Sequence, residues 1–268
     1  MSGSITLENR FGVNKMELIS LKYAIFVIVL LVLYYCFPKK YRWYVLLAGS
    51  MAYYVIICKW YVLFIIFTIC TTYGSTIWID KLLKEQNAIV KSHKEDWDRQ
   101  TRKEYKEKGR KKRVAVMLFA LLCNFGILAF LKYIPYAGEL GLLLPLGISF
   151  YTFQSMGYVM DVYREIVEPE KNFLKVALFV SFFPQIIQGP IAIYDKLAGQ
   201  LYEGHSLRLE NLQKGALLVL WGVMKKLVIA DRAVNIINFV MDKPMDFSGT
   251  YVFFAAVVYA LQLYADFS

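Results

Sequence analysis

Histidine is nearly absent from this sequence, with two in 268 residues: His93 in a charged stretch and His205 in the polar connection 195–214. Neither lies in an apolar setting that would exclude water, so both read as surface residues rather than as a buried general base. Cysteine is scarce as well. Cys36, Cys58, Cys70 and Cys123 all fall within apolar runs and show no C-x-x-C spacing, which excludes a zinc framework and a disulfide scaffold and leaves small buried hydrophobes. No metal-ligand cluster and no glycine-rich phosphate loop occurs, so no tightly bound cofactor is expected. The apolar runs lack the alternation that a membrane barrel needs. The first of them, 23–36, is followed by Phe37-Pro38-Lys39-Lys40 rather than by a small-residue cleavage site, and it reads as a retained first helix. Internal repeats, low-complexity tracts and domain-dividing linkers are missing too.

What is present is apolar. Hydrophobic residues make up 58% of the chain, aromatics 16%, and the mean hydropathy is +0.43. Charge-free runs occupy 23–38, 43–58, 60–79, 114–131, 140–160, 176–194, 215–224 and 247–265. A bilayer's hydrocarbon core of about 30 Å takes about 20 helical residues, and several of these runs approach that length. The runs 43–58 and 215–224 are shorter and must recruit flanking residues or lie at the interface. Lipid cannot satisfy backbone polar groups, so continuous apolar runs must be helical. The expected fold is all-α, a polytopic transmembrane helical bundle with broken or re-entrant helices.

The net charge of +10 is unevenly distributed, because 80–113 alone holds 13 Lys and Arg against 7 Asp and Glu. Basic loops mark the cytoplasmic side. The short turn Lys39-Lys40-Tyr41-Arg42 is basic too, and two crossings separate it from 80–113. That parity predicts an outside amino terminus, with 38–42 and 80–113 cytoplasmic. Trp97 and Tyr105 are the only aromatics in 80–113 and acidic residues are interspersed, a pattern that does not suit nucleic acid. The segment reads as solvated, partly helical and close to anionic headgroups.

Two stretches are too polar for inert membrane helices: 140–164, and 181–190 with the sequence SFFPQIIQGP. Pro184 and Pro190, with Gly189, interrupt a helix and free backbone carbonyls, which is tolerated at membrane depth only inside protein or along a cavity. Gln185 and Gln188 lie three apart and share a helical face, as do Tyr151 and Gln154. Gln185, Gln188 and Pro190 are candidates to line a cavity for a polar or acyl-bearing substrate. Asp161 and Arg164, also three apart, are expected to pair at a helix end. Lys225-Lys226 and Asp231-Arg232 flank the short apolar 227–230 and read as interfacial. Asp266 follows directly on an apolar run with Gln262 one turn before it, and reads either as an interfacial helix end or as a further tunnel candidate.

Four of these blocks carry a resemblance. LPLGISFYTFQSMGYVMDVYRE (144–165), SFFPQIIQGPI (181–191), WGVMKKLVIAD (221–231) and LQLYADFS (261–268) resemble successive motifs of the membrane-bound O-acyltransferase family, in its alginate O-acetylation branch. Upstream, FPKKYRW and GSMAYY agree only in style. The resemblance implies a single integral-membrane domain over 1–268, moving an acyl group, acetyl in that branch, onto a hydroxyl of a cell-envelope or extracellular polysaccharide. It also implies an acyl donor such as acetyl-CoA or an acyl carrier protein, and an extracytoplasmic partner protein that handles the acyl group. It further implies that Tyr151 and Gln154 face the same substrate tunnel as Gln185, Gln188 and Pro190. The family's catalytic histidine lies beyond the block matched by YADFS. These 268 residues are therefore expected to lack it and to be incomplete at the carboxyl end. D-alanyl transfer to teichoic acid and O-acetylation of peptidoglycan fit the same framework.

Two other classes compete. A transporter or export channel also uses helices broken by Pro, Gly and Gln, although no second copy of the 144–165 pattern is found. A non-catalytic membrane scaffold would use 80–113 to dock a partner.

Overall fold

The computed structural model describes residues 21–93, 97–133, 145, 147–186, 189, 191–242 and 244–267. They are overwhelmingly helical, with no strand among the described residues: the protein is an all-α membrane helical protein. The chain divides into two compact units, Met1–Gly204 and His205–Ser268, parted within the polar connection that precedes 215–224.

In the first unit, α1 (Leu21–Cys36) and α2 (Arg42–Cys58) are followed by two much longer helices, α3 (Val62–Ser92) and α4 (Arg99–Tyr133). The stretches 39–92 and Arg99–Tyr133 are long and apolar enough to cross a membrane. At 1.5 Å per residue the 31 residues of α3 and the 35 of α4 run about 46 and 52 Å, well beyond a hydrocarbon core of about 30 Å. Their apolar parts, 62–79 and 114–131, are each about the length that a crossing takes. The remainder is the charged stretch 80–113, which is thus mostly two helical extensions. Charge and solvation do not prevent helix here, because Lys, Arg, Glu and Gln are good helix formers.

The two long helices run antiparallel. Asn124 donates to Thr71 Oγ1 at 2.9 Å, and Gln86 donates to the Lys106 carbonyl at 3.1 Å further along the same seam. Within α3 the hydroxyls of Thr72, Ser75 and Thr76 bond back to carbonyls three or four residues earlier, so they remain satisfied at membrane depth. Against this pair packs α5 (Ile148–Tyr163), whose Tyr151, Gln154, Ser155, Tyr158, Val159 and Val162 are all buried. The short helices α6 (Phe173–Ser181), α7 (Phe183–Ile186) and α8 (Tyr194–Tyr202) complete the unit. Six consecutive residues of α6, Val176–Ser181, are buried. The last two-thirds of this helix is therefore enclosed on all sides, while Phe173 and Leu174 at its start remain exposed.

The second unit is one interrupted helical run followed by a return. Helix α9 (Leu209–Met224) passes through a π-helical turn, Lys225–Ala230, into α10 (Asp231–Met241), and α11 (Gly249–Phe267) packs against the turn and α10.

Candidate functional site

The two polar stretches flagged in the sequence meet in the fold. Gly147 begins α5 with φ +70°, and its backbone lies against Ile186 of α7, where a Cβ would overlap both the Ile186 side chain and its carbonyl oxygen. Glycine alone satisfies both the left-handed backbone and the close approach.

The helical interruption between α6 and α7 lies at Phe182, whose ψ of 107° turns the chain out of the helix. The Phe183 N–H, which would otherwise bond Phe179, donates instead to Ser50 Oγ of α2 at 3.3 Å. The freed Phe179 carbonyl accepts a hydrogen bond from Gln154 Nε2 at 2.9 Å. Pro184 has no N–H with which to restore the ladder. Both groups released by the break are thereby satisfied by buried side chains, Ser50 at 0% and Gln154 at 4% exposure. Gln154 consequently binds protein backbone, while Tyr151 on the same buried face of α5 does not.

Tyr151 faces Tyr54 of α2, with ring centroids 6.3 Å apart in an edge-to-face arrangement at 74°. Both hydroxyls are buried and interact with each other, Tyr54 also with Cys58, and the Oε1 of Gln185 on α7 is buried without a hydrogen-bond partner. Gln188 and Pro190 lie outside the described residues.

Asp161 and Arg164 form no ion pair among the described residues; Arg113 of α4 reaches Glu165 instead, at 3.0 Å. The physical reason is the end of α5. The N–H of Ile166 returns to the Asp161 carbonyl and that of Glu165 to Val162, a Schellman turn that sets Glu165 at φ +62° and presents its carboxylate to Arg113.

In the second unit, Asp266 is enclosed, with its side chain 15% exposed, and its Oδ1 lies 2.7 Å from Lys226 Nζ. Lys226 is also 3.2 Å from Asp231, five residues on. An i+5 partner falls on the far side of an α-helix, but the wider π-helical turn brings it round to the same side. Burial pulls the Lys226 ammonium down, yet the contacts with Asp266 and Asp231 outweigh it and hold its pKa above the ordinary lysine value. Sequence spacing placed Lys226 and Asp231 at an interface and Asp266 among the tunnel candidates, and missed that the three converge. Nothing in local spacing reveals a π turn.

His93 is exposed at the end of α3, stacked on Trp97 with ring centroids 5.0 Å apart, and His205 is exposed as well. Among the described residues no three His, Cys, Asp or Glu side chains converge in a way that could hold a metal ion.

The chain is 31% identical to a peptidoglycan O-acetyltransferase of Helicobacter pylori, over 57% of this chain and 36% of that protein. It is 36% identical to a probable alginate O-acetylase AlgI of Pseudomonas syringae over 47% of this chain, and 34% identical to its counterpart in Pseudomonas aeruginosa over 47%. The chain resembles the membrane-bound O-acyltransferases. The matches span about a quarter to a third of these relatives' own lengths. No family model matches the chain, and no solved structure does.

Proposed function

We propose that the protein is a membrane-bound O-acyltransferase that transfers an acyl group, acetyl by its relatives' names, to hydroxyls of an envelope polysaccharide. The observation that carries this reading is the identity of 31% to 36% with proteins named as O-acetylating peptidoglycan and alginate. The fold supplies a setting in keeping with it: a broken helix, α6–α7, whose freed backbone is held by Ser50 and Gln154, next to the buried hydroxyls of Tyr54 and Tyr151.

In this reading the region around Tyr54, Tyr151 and Gln185 forms part of a tunnel wall. Its hydroxyls and amide offer hydrogen bonds to a carbonyl or a sugar hydroxyl, in surroundings where such bonds are strengthened by the low dielectric. His93 and His205 are both exposed, so neither is assigned as the general base. The protein crosses the membrane several times with 80–113 in the cytoplasm. The acyl donor, acetyl-CoA or an acyl carrier protein, is drawn from that side, and an extracytoplasmic partner handles the acyl group.

The test is acetyl transfer to polysaccharide in membranes carrying the full-length enzyme with Tyr54→Phe, Tyr151→Phe or both. Loss of transfer by at least about ten-fold with an unchanged melting temperature is expected, on the scale of one hydrogen bond to a reacting group. Unchanged transfer by the double variant removes this region from the substrate path.

A further inference from the structure

The polar ends of α3 and α4 enclose a cleft of about 500 Å³ that shares no residue with the proposed tunnel wall. Its volume lies within the range of about 300–1,000 Å³ typical of small-molecule sites. Six cations line it, Arg99, Arg102, Lys103, Lys106, Arg110 and Arg113. They face two carboxylates, Glu107 and Glu165, which leaves an excess of four positive charges.

A solvated basic helix face would account for most of those cations. It does not account for Arg113. That side chain is only 10% exposed, lying deep between the helices; it pairs with Glu165 and keeps its Nε buried without a hydrogen-bond partner. Beside it Gln86, 6% exposed, fits against the backbone of Gly109, where a Cβ would overlap its amide, and its Oε1 also lacks a partner. The cleft therefore holds, next to its charge excess, a buried donor and a buried acceptor that the protein itself leaves unsatisfied.

We propose that this cleft binds a phosphate-bearing anion, with Arg113 as its buried anchor. Charge and geometry select that chemistry. A guanidinium presents a planar fork that matches phosphate oxygens, and a monovalent carboxylate would leave most of the charge excess uncompensated. A protonated phosphate oxygen would further serve the Gln86 acceptor. Glu165, held in place by its left-handed backbone, competes with the ligand for the same guanidinium. The site stands independently of the acyl-transfer reading, since none of its residues belongs to the proposed tunnel.

The same phosphate can come from a soluble molecule or from an anionic lipid headgroup, and the experiment separates these sources. The full chain is placed in nanodiscs of neutral phosphatidylcholine and titrated with inorganic pyrophosphate by calorimetry. In a second arm the discs contain phosphatidylglycerol, and retained lipid is counted by native mass spectrometry. Pyrophosphate binding that weakens with salt and persists in both discs assigns a soluble ligand. Retained phosphatidylglycerol that excludes pyrophosphate assigns the lipid. Arg113→Gln should weaken either binding by about ten-fold or more. Lys103→Gln with Lys106→Gln, both exposed, should weaken it without touching the fold. Glu165→Gln should tighten it, a direction that misfolding cannot imitate. Absence of binding in both arms, or equal binding by the wild type and all three variants, overturns the proposal.

Discussion

Gln154 on α5 hydrogen-bonds the Phe179 carbonyl on α6 at 2.9 Å, across a sequence separation of 25 residues. The carbonyl is available only because the chain leaves the helix at Phe182. Gln154→Ala is expected to destabilise the protein by about 1–3 kcal/mol, the cost of an orphaned buried carbonyl. Hydrogen exchange localised to 179–186, together with thermal unfolding in detergent, measures it. A loss of acetyl transfer with no loss of stability would instead show Gln154 to be a substrate contact.

Gly147→Ala meets two penalties at once, a left-handed backbone and an overlap with the Ile186 carbonyl. The strained backbone alone costs about 1–3 kcal/mol. Trimming the neighbour with Ile186→Ala should fail to restore the melting temperature, because the obstructing atoms include backbone. Full rescue would mean that α7 can shift away from α5.

Glu165 sits at φ +62°, so its contribution divides into backbone strain and the ion pair to Arg113. Glu165→Gly relieves the first and loses the second, while Glu165→Ala keeps the strain and also loses the pair. The glycine variant should be the more stable of the two by about 1 kcal/mol, the left-handed penalty of a β-carbon. Paired melting curves decide this, and equal stability would indicate that the turn rearranges.

Lys226 and Asp266 should show energetic coupling. Lys226→Met and Asp266→Asn in a double-mutant cycle are expected to give about 1 kcal/mol, modest because the lysine side chain is 38% exposed. The pH dependence follows from the raised pKa of Lys226. Its contribution is fully present below the ordinary lysine value of about 10.4 and is lost as pH rises through the higher folded-state value. Melting temperatures of the wild type and Lys226→Met should therefore differ by a constant amount from neutral pH to about pH 9 and converge only above it. Convergence near neutrality would show that the ammonium is not held charged.

Helix class and membrane character were legible in the sequence because both follow from composition and run length, which act locally: lipid leaves a continuous apolar run no alternative to internal hydrogen bonding. The interruption near Pro184 was legible for the same reason, since a missing N–H is a property of one residue. So were the acyltransferase motifs, spread over 144–268, which comparison with the named O-acetylases supports. The expected pairing of Asp161 with Arg164 shows where that reading stops. Spacing along a helix states who can meet within it, not that a Schellman turn will hand the ion pair to Glu165 and a residue 52 positions upstream.

Tertiary structure alone decided which polar groups satisfy each other. Gln154 looked like a cavity residue by its type, and a carbonyl released 25 residues away made it a strut. Lys226 and Asp231 lie five apart, a separation that is meaningless in an α-helix and close in a π turn. Arg113 belonged to the run 108–113, five basic residues broken by Gly109, and only packing between α3 and α4 singled it out for burial. The physical reason is common to all three. Apolar burial is set by each residue's own transfer from water and can be read one residue at a time, whereas a hydrogen bond or ion pair needs a partner, and the fold chooses the partner.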